Sequence, residues 1–80
     1  MAVKLVFLGR LADLAGMPER EVSGPLDWPA LLESLNGAVR EWATGDKVKV
    51  ALNGTVQADK TALRAKDGDE VALLPPVSGG

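Results

Sequence analysis

Eighty residues, 46% hydrophobic and 25% charged, fit one small globular domain, too short for two cores and too apolar for a disordered chain. A formal net charge of −2 argues against the basic face that nucleic acid or an anionic membrane would require. No apolar run reaches the length of a spanning helix and no signal-peptide pattern opens the chain, so it reads as cytoplasmic.

In chain order, Val3 to Leu8 is an apolar run around Lys4, short and rich in strand formers. Leu11 to Ala15 offers one helical turn before Gly16-Met17-Pro18, and Arg20 to Ser23 fits a second strand. Asp27 is a good N-cap for a helix beginning at Trp28, with Pro29 tolerated in its first turn. Trp28, Leu31, Leu32 and Leu35 give that helix one apolar face, and Asn36-Gly37 reads as its stop. A second helical piece over Ala38 to Ala43 would bury Val39 and Trp42. Lys47 to Leu52 alternates as a half-buried strand, Asn53-Gly54 signals a tight turn, and Thr55 to Ala58 returns as a short strand. Leu63 is a lone apolar anchor in the following loop, and Asp67-Gly68-Asp69 turns into a last strand, Glu70 to Leu74. This order predicts an α+β fold of β-grasp layout: a mixed sheet, one main helix, and the first and last strands paired in parallel.

The chain contains no Cys, no His and no Tyr. Disulfides, a thiolate nucleophile and the commonest general base and metal ligand are therefore absent. Asp67, Asp69 and Glu70 read as a turn rather than a catalytic pair, and they lack the spacing of a calcium loop. Chemistry is expected on the chain terminus, with catalysis supplied by a partner.

Two features fit that expectation. In both proposed central strands apolar residues point to both faces. Val3, Leu5, Phe7, Val71 and Leu73 lie on one side, and Val6, Leu8, Ala72 and Leu74 on the other. Either loops or the second helical piece cover the latter set, or Val6, Leu8 and Leu74 form a docking surface for a partner. The chain also ends on Pro75-Pro76-Val77-Ser78-Gly79-Gly80. The prolines favour an extended backbone, and two glycines make a thin tether able to enter a narrow channel. From Val77 to Gly80 the reach is about 13 Å. Taken alone, this composition reads first as a frayed terminus, its usual meaning. The expected division is a domain over 1–76 and a flexible extended tail over 77–80.

The closing stretch from Asp67-Gly68-Asp69-Glu70-Val71 to Pro75-Pro76-Val77-Ser78-Gly79-Gly80 resembles the molybdopterin synthase small subunits of the MoaD/ThiS family of ubiquitin-like sulfur carriers. The opening Lys4 to Gly16 and the Ala51-Leu52-Asn53-Gly54 turn are similar as well. Ser78 replaces a commoner Thr, and Leu73-Leu74 are aliphatic where aromatics often sit. The resemblance implies a ubiquitin-like fold and a carrier whose Gly80 carboxylate is adenylated by a ubiquitin-activating-like adenylyltransferase using ATP. A sulfur donor then converts it to a thiocarboxylate. Pro76, Val77, Ser78 and Gly79 would enter the synthase large subunit, and the sulfur would pass to cyclic pyranopterin monophosphate in molybdenum cofactor biosynthesis. The resemblance further implies a heterotetramer with catalytic residues on the large subunit, and neither cofactor nor metal on this chain. Alternatives are a carrier for thiamine thiazole or tungsten cofactor assembly, a ubiquitin-like protein modifier, or an interaction module.

Overall fold

The computed structural model describes residues 2–75. The tail residues Pro76, Val77, Ser78, Gly79 and Gly80 lie outside the described residues, as does the expected boundary between domain and tail.

The described chain forms β1 (Ala2–Phe7), α1 (Arg10–Ala15), β2 (Glu19–Ser23), β3 (Leu26–Asp27), α2 (Trp28–Ser34), α3 (Gly37–Ala43), β4 (Lys49–Leu52), β5 (Thr55–Val56), a 3-10 turn (Lys60–Ala62), β6 (Arg64–Ala65) and β7 (Glu70–Leu74). Five strands make one mixed sheet in the order β2-β1-β7-β4-β5. The last strand is central: it runs parallel to β1, with Leu5 opposite Val71 and Phe7 opposite Leu73, and antiparallel to β4. This is the β-grasp layout read from the element order.

Alternation along the strands decides what is buried. Val3, Leu5 and Phe7 of β1, Val50 of β4, and Val71 and Leu73 of β7 project to one face. They meet Leu11 of α1, Leu31 and Leu35 from the α2 segment, and Val39 and Ala43 of α3 in a single core. Leu63 closes the core and is buried, as its isolation in a polar loop suggested. Trp28, Leu32 and Trp42 are half-buried and pack at its rim. Each fully buried Leu or Val contributes about 1.5–3 kcal/mol relative to exposure.

Asp27 does cap α2, its Oδ1 accepting from the Ala30 amide at 3.0 Å. Such a cap is worth about 1 kcal/mol. Asn36-Gly37 departs from its reading as a stop. Leu35, in extended conformation, ends α2, and Asn36 caps the start of α3 by accepting from the Val39 amide at 2.9 Å. Its Nδ2 also donates to the Leu14 carbonyl at 3.0 Å, tying α3 to α1. Arg40 of α3 reaches back to donate to two carbonyls at the end of α2, that of Leu32, which also accepts from the Leu35 amide at 3.2 Å, and that of Leu35.

Two further departures are local. β5 covers only Thr55–Val56, although the Gln57 amide still donates to the Val50 carbonyl at 2.8 Å. A second sheet, unanticipated, pairs β3 with β6 through Leu26 opposite Ala65 and Asp27 opposite Arg64.

Candidate functional site

The sheet face turned away from the core carries an apolar strip. Register places Val6 beside Ala72, Ala72 beside Ala51, and Ala51 beside Val56, so one row crosses β1, β7, β4 and β5. Glu19 of β2 ends this row at the β1 side. In the next row Leu74 faces Lys49. The Leu8 amide donates to the Leu73 carbonyl at 3.2 Å, which carries the β1–β7 pairing one residue beyond β1 and sets Leu8 alongside Leu74. Leu8 is 40% exposed and Val56 56%, while Val6, Ala72 and Leu74 are half-buried. Ala51 is buried without belonging to the core, because it is small and lies between strands on both sides.

Val6, Leu8 and Leu74 therefore share one patch, and all three helices sit against other residues of the core side. Ala51 and Val56 extend the patch and were not anticipated. Their signal was present in the alternation of Lys47 to Leu52 and in the turn that folds Val56 back beside it. Charges border the strip: Lys4 faces Glu21 and Glu70 in register, and its Nζ lies 3.4 Å from Glu19 Oε2. That pair is exposed and worth at most about 1 kcal/mol.

Two of the sequence motifs meet in space at the start of β7. Asn53 and Gly54 both have positive φ, 50° and 87°, the geometry of a primed hairpin turn. The Asn53 Nδ2 donates to Asp69 Oδ1 at 3.1 Å, its Oδ1 accepts from the Glu70 amide at 2.9 Å, and its own amide donates to the Glu70 carbonyl at 2.8 Å. Asp69 Oδ2 accepts from the Lys66 amide at 2.9 Å. The Lys66 amide first, then the Asn53 amide group, hold the Asp69 carboxyl below its ordinary value. Asp69 is thus a turn residue, as read, and Asn53 is the clasp that fixes β7 against the β4–β5 hairpin.

The body offers little else that could do chemistry. Among the described residues no polar or charged side chain is buried, and no group of three His, Cys, Asp or Glu could hold a metal ion. No helix among them is long and apolar enough to cross a membrane. A concavity of about 440 Å³ lined by Leu26, Asp27, Ala30, Arg64 and Lys66 lies beside the small sheet, and no residue of the apolar strip lines it.

Comparison with known proteins was consistent with this geometry. The ThiS family model matches residues 5–80. The molybdopterin synthase sulfur carrier subunit of Escherichia coli is 33% identical over 84 residues, covering 98% of this chain and 99% of that protein. Small archaeal modifier protein 1 from Methanosarcina acetivorans superposes with a TM-score of 0.74 at 28% identity, covering 99% of this chain and 96% of that one. A subunit from the complex of subunits 1 and 2 of the molybdopterin-converting factor of Helicobacter pylori superposes with a TM-score of 0.67 at 28% identity, with both chains fully covered.

Proposed function

Since the chain belongs to the ThiS family, matched over residues 5–80, we propose that it is a sulfur carrier whose thiocarboxylate forms on Gly80, serving as the small subunit of a molybdopterin synthase. The observation that carries this reading is the match to the Escherichia coli sulfur carrier subunit across 98% of the chain. The apolar strip supports it, because a carrier must dock on successive partners and Leu74 of the strip lies next to Pro75, where the chain leaves the sheet.

The chemistry follows from the terminus. A free carboxylate is a poor acyl electrophile. Attack of a Gly80 carboxylate oxygen on the α-phosphorus of ATP, on an activating adenylyltransferase, expels pyrophosphate and leaves an acyl-adenylate. Sulfur from a donor then displaces AMP and gives the thiocarboxylate. Docked through Val6, Leu8 and Leu74, the carrier delivers Gly80 by way of Pro76, Val77, Ser78 and Gly79 to a large subunit whose residues catalyse transfer to cyclic pyranopterin monophosphate. ATP is bound by the activating enzyme, and this chain holds no cofactor of its own. The assembly is a heterotetramer acting in the cytoplasm.

Incubation with the activating enzyme, ATP and a sulfide source should raise the intact mass by the exchange of one oxygen for sulfur. A variant lacking Gly80 should show no gain while keeping its circular dichroism. An unchanged mass for the full chain, under conditions that charge the Escherichia coli carrier, would sink the proposal. The archaeal modifier neighbour favours a second reading, attachment of Gly80 to target lysines. Conjugates in cell extract that vanish when Gly80 is removed would support it.

A further inference from the structure

The concavity beside the β3–β6 sheet has no part in the function proposed above. Its volume of about 440 Å³ falls among the clefts of about 300–1,000 Å³ that take ligands. Leu26 and Ala65, each 2% exposed, give it an apolar floor together with Pro25 and Ala30. Its charged groups are Asp27, Arg64 and Lys66.

The cations there stand without a counter-ion. Asp27 and Arg64 are directly opposite in the ladder, where opposite charges ordinarily meet. Asp27 instead turns one oxygen to its own helix, accepting from the Ala30 amide at 3.0 Å. Among the described residues the only ion pair is Lys4 with Glu19. Lys66, two residues beyond Arg64, shares its side of the strand, while Ala65 between them is buried in the core. The acids that follow lie elsewhere: Asp69 bonds the Lys66 amide and the Asn53 side chain, and Asp67 lies over Gly24. Arg64 and Lys66 are thus exposed, adjacent and unpaired among the described residues, in a chain of net charge −2.

These groups discriminate between occupants. A phosphate offers acceptors only: it would suit Arg64 and Lys66, be repelled by Asp27, and leave the apolar floor uncovered. An acidic peptide matches every part. Its carboxylates meet the two cations, a backbone N–H meets the second oxygen of Asp27, and an aliphatic side chain covers the floor.

We propose that this concavity docks an acidic peptide segment of a partner protein, with Arg64 and Lys66 taking its carboxylates and Asp27 one of its backbone amides. The site shares no residue with the apolar strip and does not depend on the sulfur-carrier reading.

The test titrates a blocked pentapeptide, acetyl-Ala-Glu-Leu-Glu-Ala-amide, into the isotope-labelled full chain and follows backbone amides by NMR. Its glutamates repeat the two-residue spacing of the cations. The same peptide with lysines for glutamates, and inorganic phosphate, are run beside it. The acidic peptide should shift the amides of Leu26, Ala30, Arg64 and Lys66 and leave those of Val6, Ala72 and Leu74 in place. Replacing both cations, Arg64→Gln with Lys66→Gln, should weaken it about tenfold, the worth of two exposed ion pairs. Asp27→Asn keeps a capping oxygen and should weaken the peptide while strengthening phosphate. No shift with the acidic peptide, equal shifts with the lysine peptide, or wild-type affinity in the double variant overturns the proposal. Tighter peptide binding by Asp27→Asn, or phosphate shifting these amides where the peptide does not, marks a simple anion site and overturns it as well. If circular dichroism shows the double variant unfolded, salt decides on the wild-type chain. Going from about 0.01 M to about 1 M shortens the screening length from about 30 Å to about 3 Å. Release of the peptide across that range supports the site, and unchanged binding refutes it.

Discussion

Leu73 and Leu74 are chain neighbours on opposite faces of the central strand, and truncating each to alanine should separate stability from docking. Leu73 is fully buried, with Phe7 of β1 and Val50 of β4 opposite it in register. Deleting such a side chain costs about 3 kcal/mol, transfer and cavity together. A domain of this size holds only about 4–12 kcal/mol in total, and at about 4–8 °C per kcal/mol the melting temperature should fall by about 12–24 °C. Leu74 is half-buried and faces Lys49 on the outer side, so its truncation should cost about 1 kcal/mol. Its effect should appear in titration calorimetry against a molybdopterin synthase large subunit, as a loss of affinity of about tenfold, or about 1.4 kcal/mol, above the near-neutral contacts of an interface and below its hot spots. Urea denaturation of both variants supplies the stabilities. A Leu74→Ala chain as destabilised as Leu73→Ala, or one that binds the large subunit like wild type, would refute the assignment of the outer face as the docking surface.

Other expectations follow from single contacts. Asn53→Gly keeps the positive φ but loses the two side-chain bonds to Asp69 and the Glu70 amide, a cost of about 1–2 kcal/mol. Asn53→Ala should lose about 1 kcal/mol more for the left-handed backbone, and equal midpoints in urea would contradict this partition. The Asp69 carboxyl titrates below its ordinary 3.8 in the fold. Its stabilisation is therefore complete above pH 3.8 and disappears as pH falls through the lower folded value. Acid melting curves of Asp69→Asn should be flatter than wild type in that window, and identical slopes would remove Asp69 from the account. Lys60 donates from Nζ to the Gly45 carbonyl and, at 2.8 Å, to the Val48 carbonyl, while lying 5.8 Å from the Trp28 ring centroid. Burial lowers its pKa. Lys60→Met should cost about 1 kcal/mol and alter Trp28 fluorescence; an unchanged emission spectrum together with unchanged stability would show that this strap carries no weight.

Much of the architecture is legible in the amino-acid sequence because its determinants are local. Alternation in Val3 to Leu8 and Glu70 to Leu74 separates the two faces residue by residue, and Asp27 marks the start of α2 by its own capping bond. The β3–β6 sheet is illegible there for the opposite reason. Two residues show no period, and Leu26 and Ala65 are partners far apart in the sequence, so nothing local marks their pairing. Asn36-Gly37 misleads because asparagine serves a helix at either end; the neighbour it caps is decided by where Leu35 turns into extended backbone. Of the candidate site, Val6, Leu8 and Leu74 can be grouped from strand alternation, whereas Ala51 and Val56 join them through strand order.

The central place of β7 also has a mechanical consequence. A load applied at the end of β7 along its axis would act on a strand bonded on both flanks, in parallel to β1 and antiparallel to β4. Such a load falls on the ladder bonds as shear, many at once, instead of opening them one after another from an end. Under the function proposed above, a pull on the end of β7 would therefore meet the ladder on both flanks together, and the fold would resist where the load enters it.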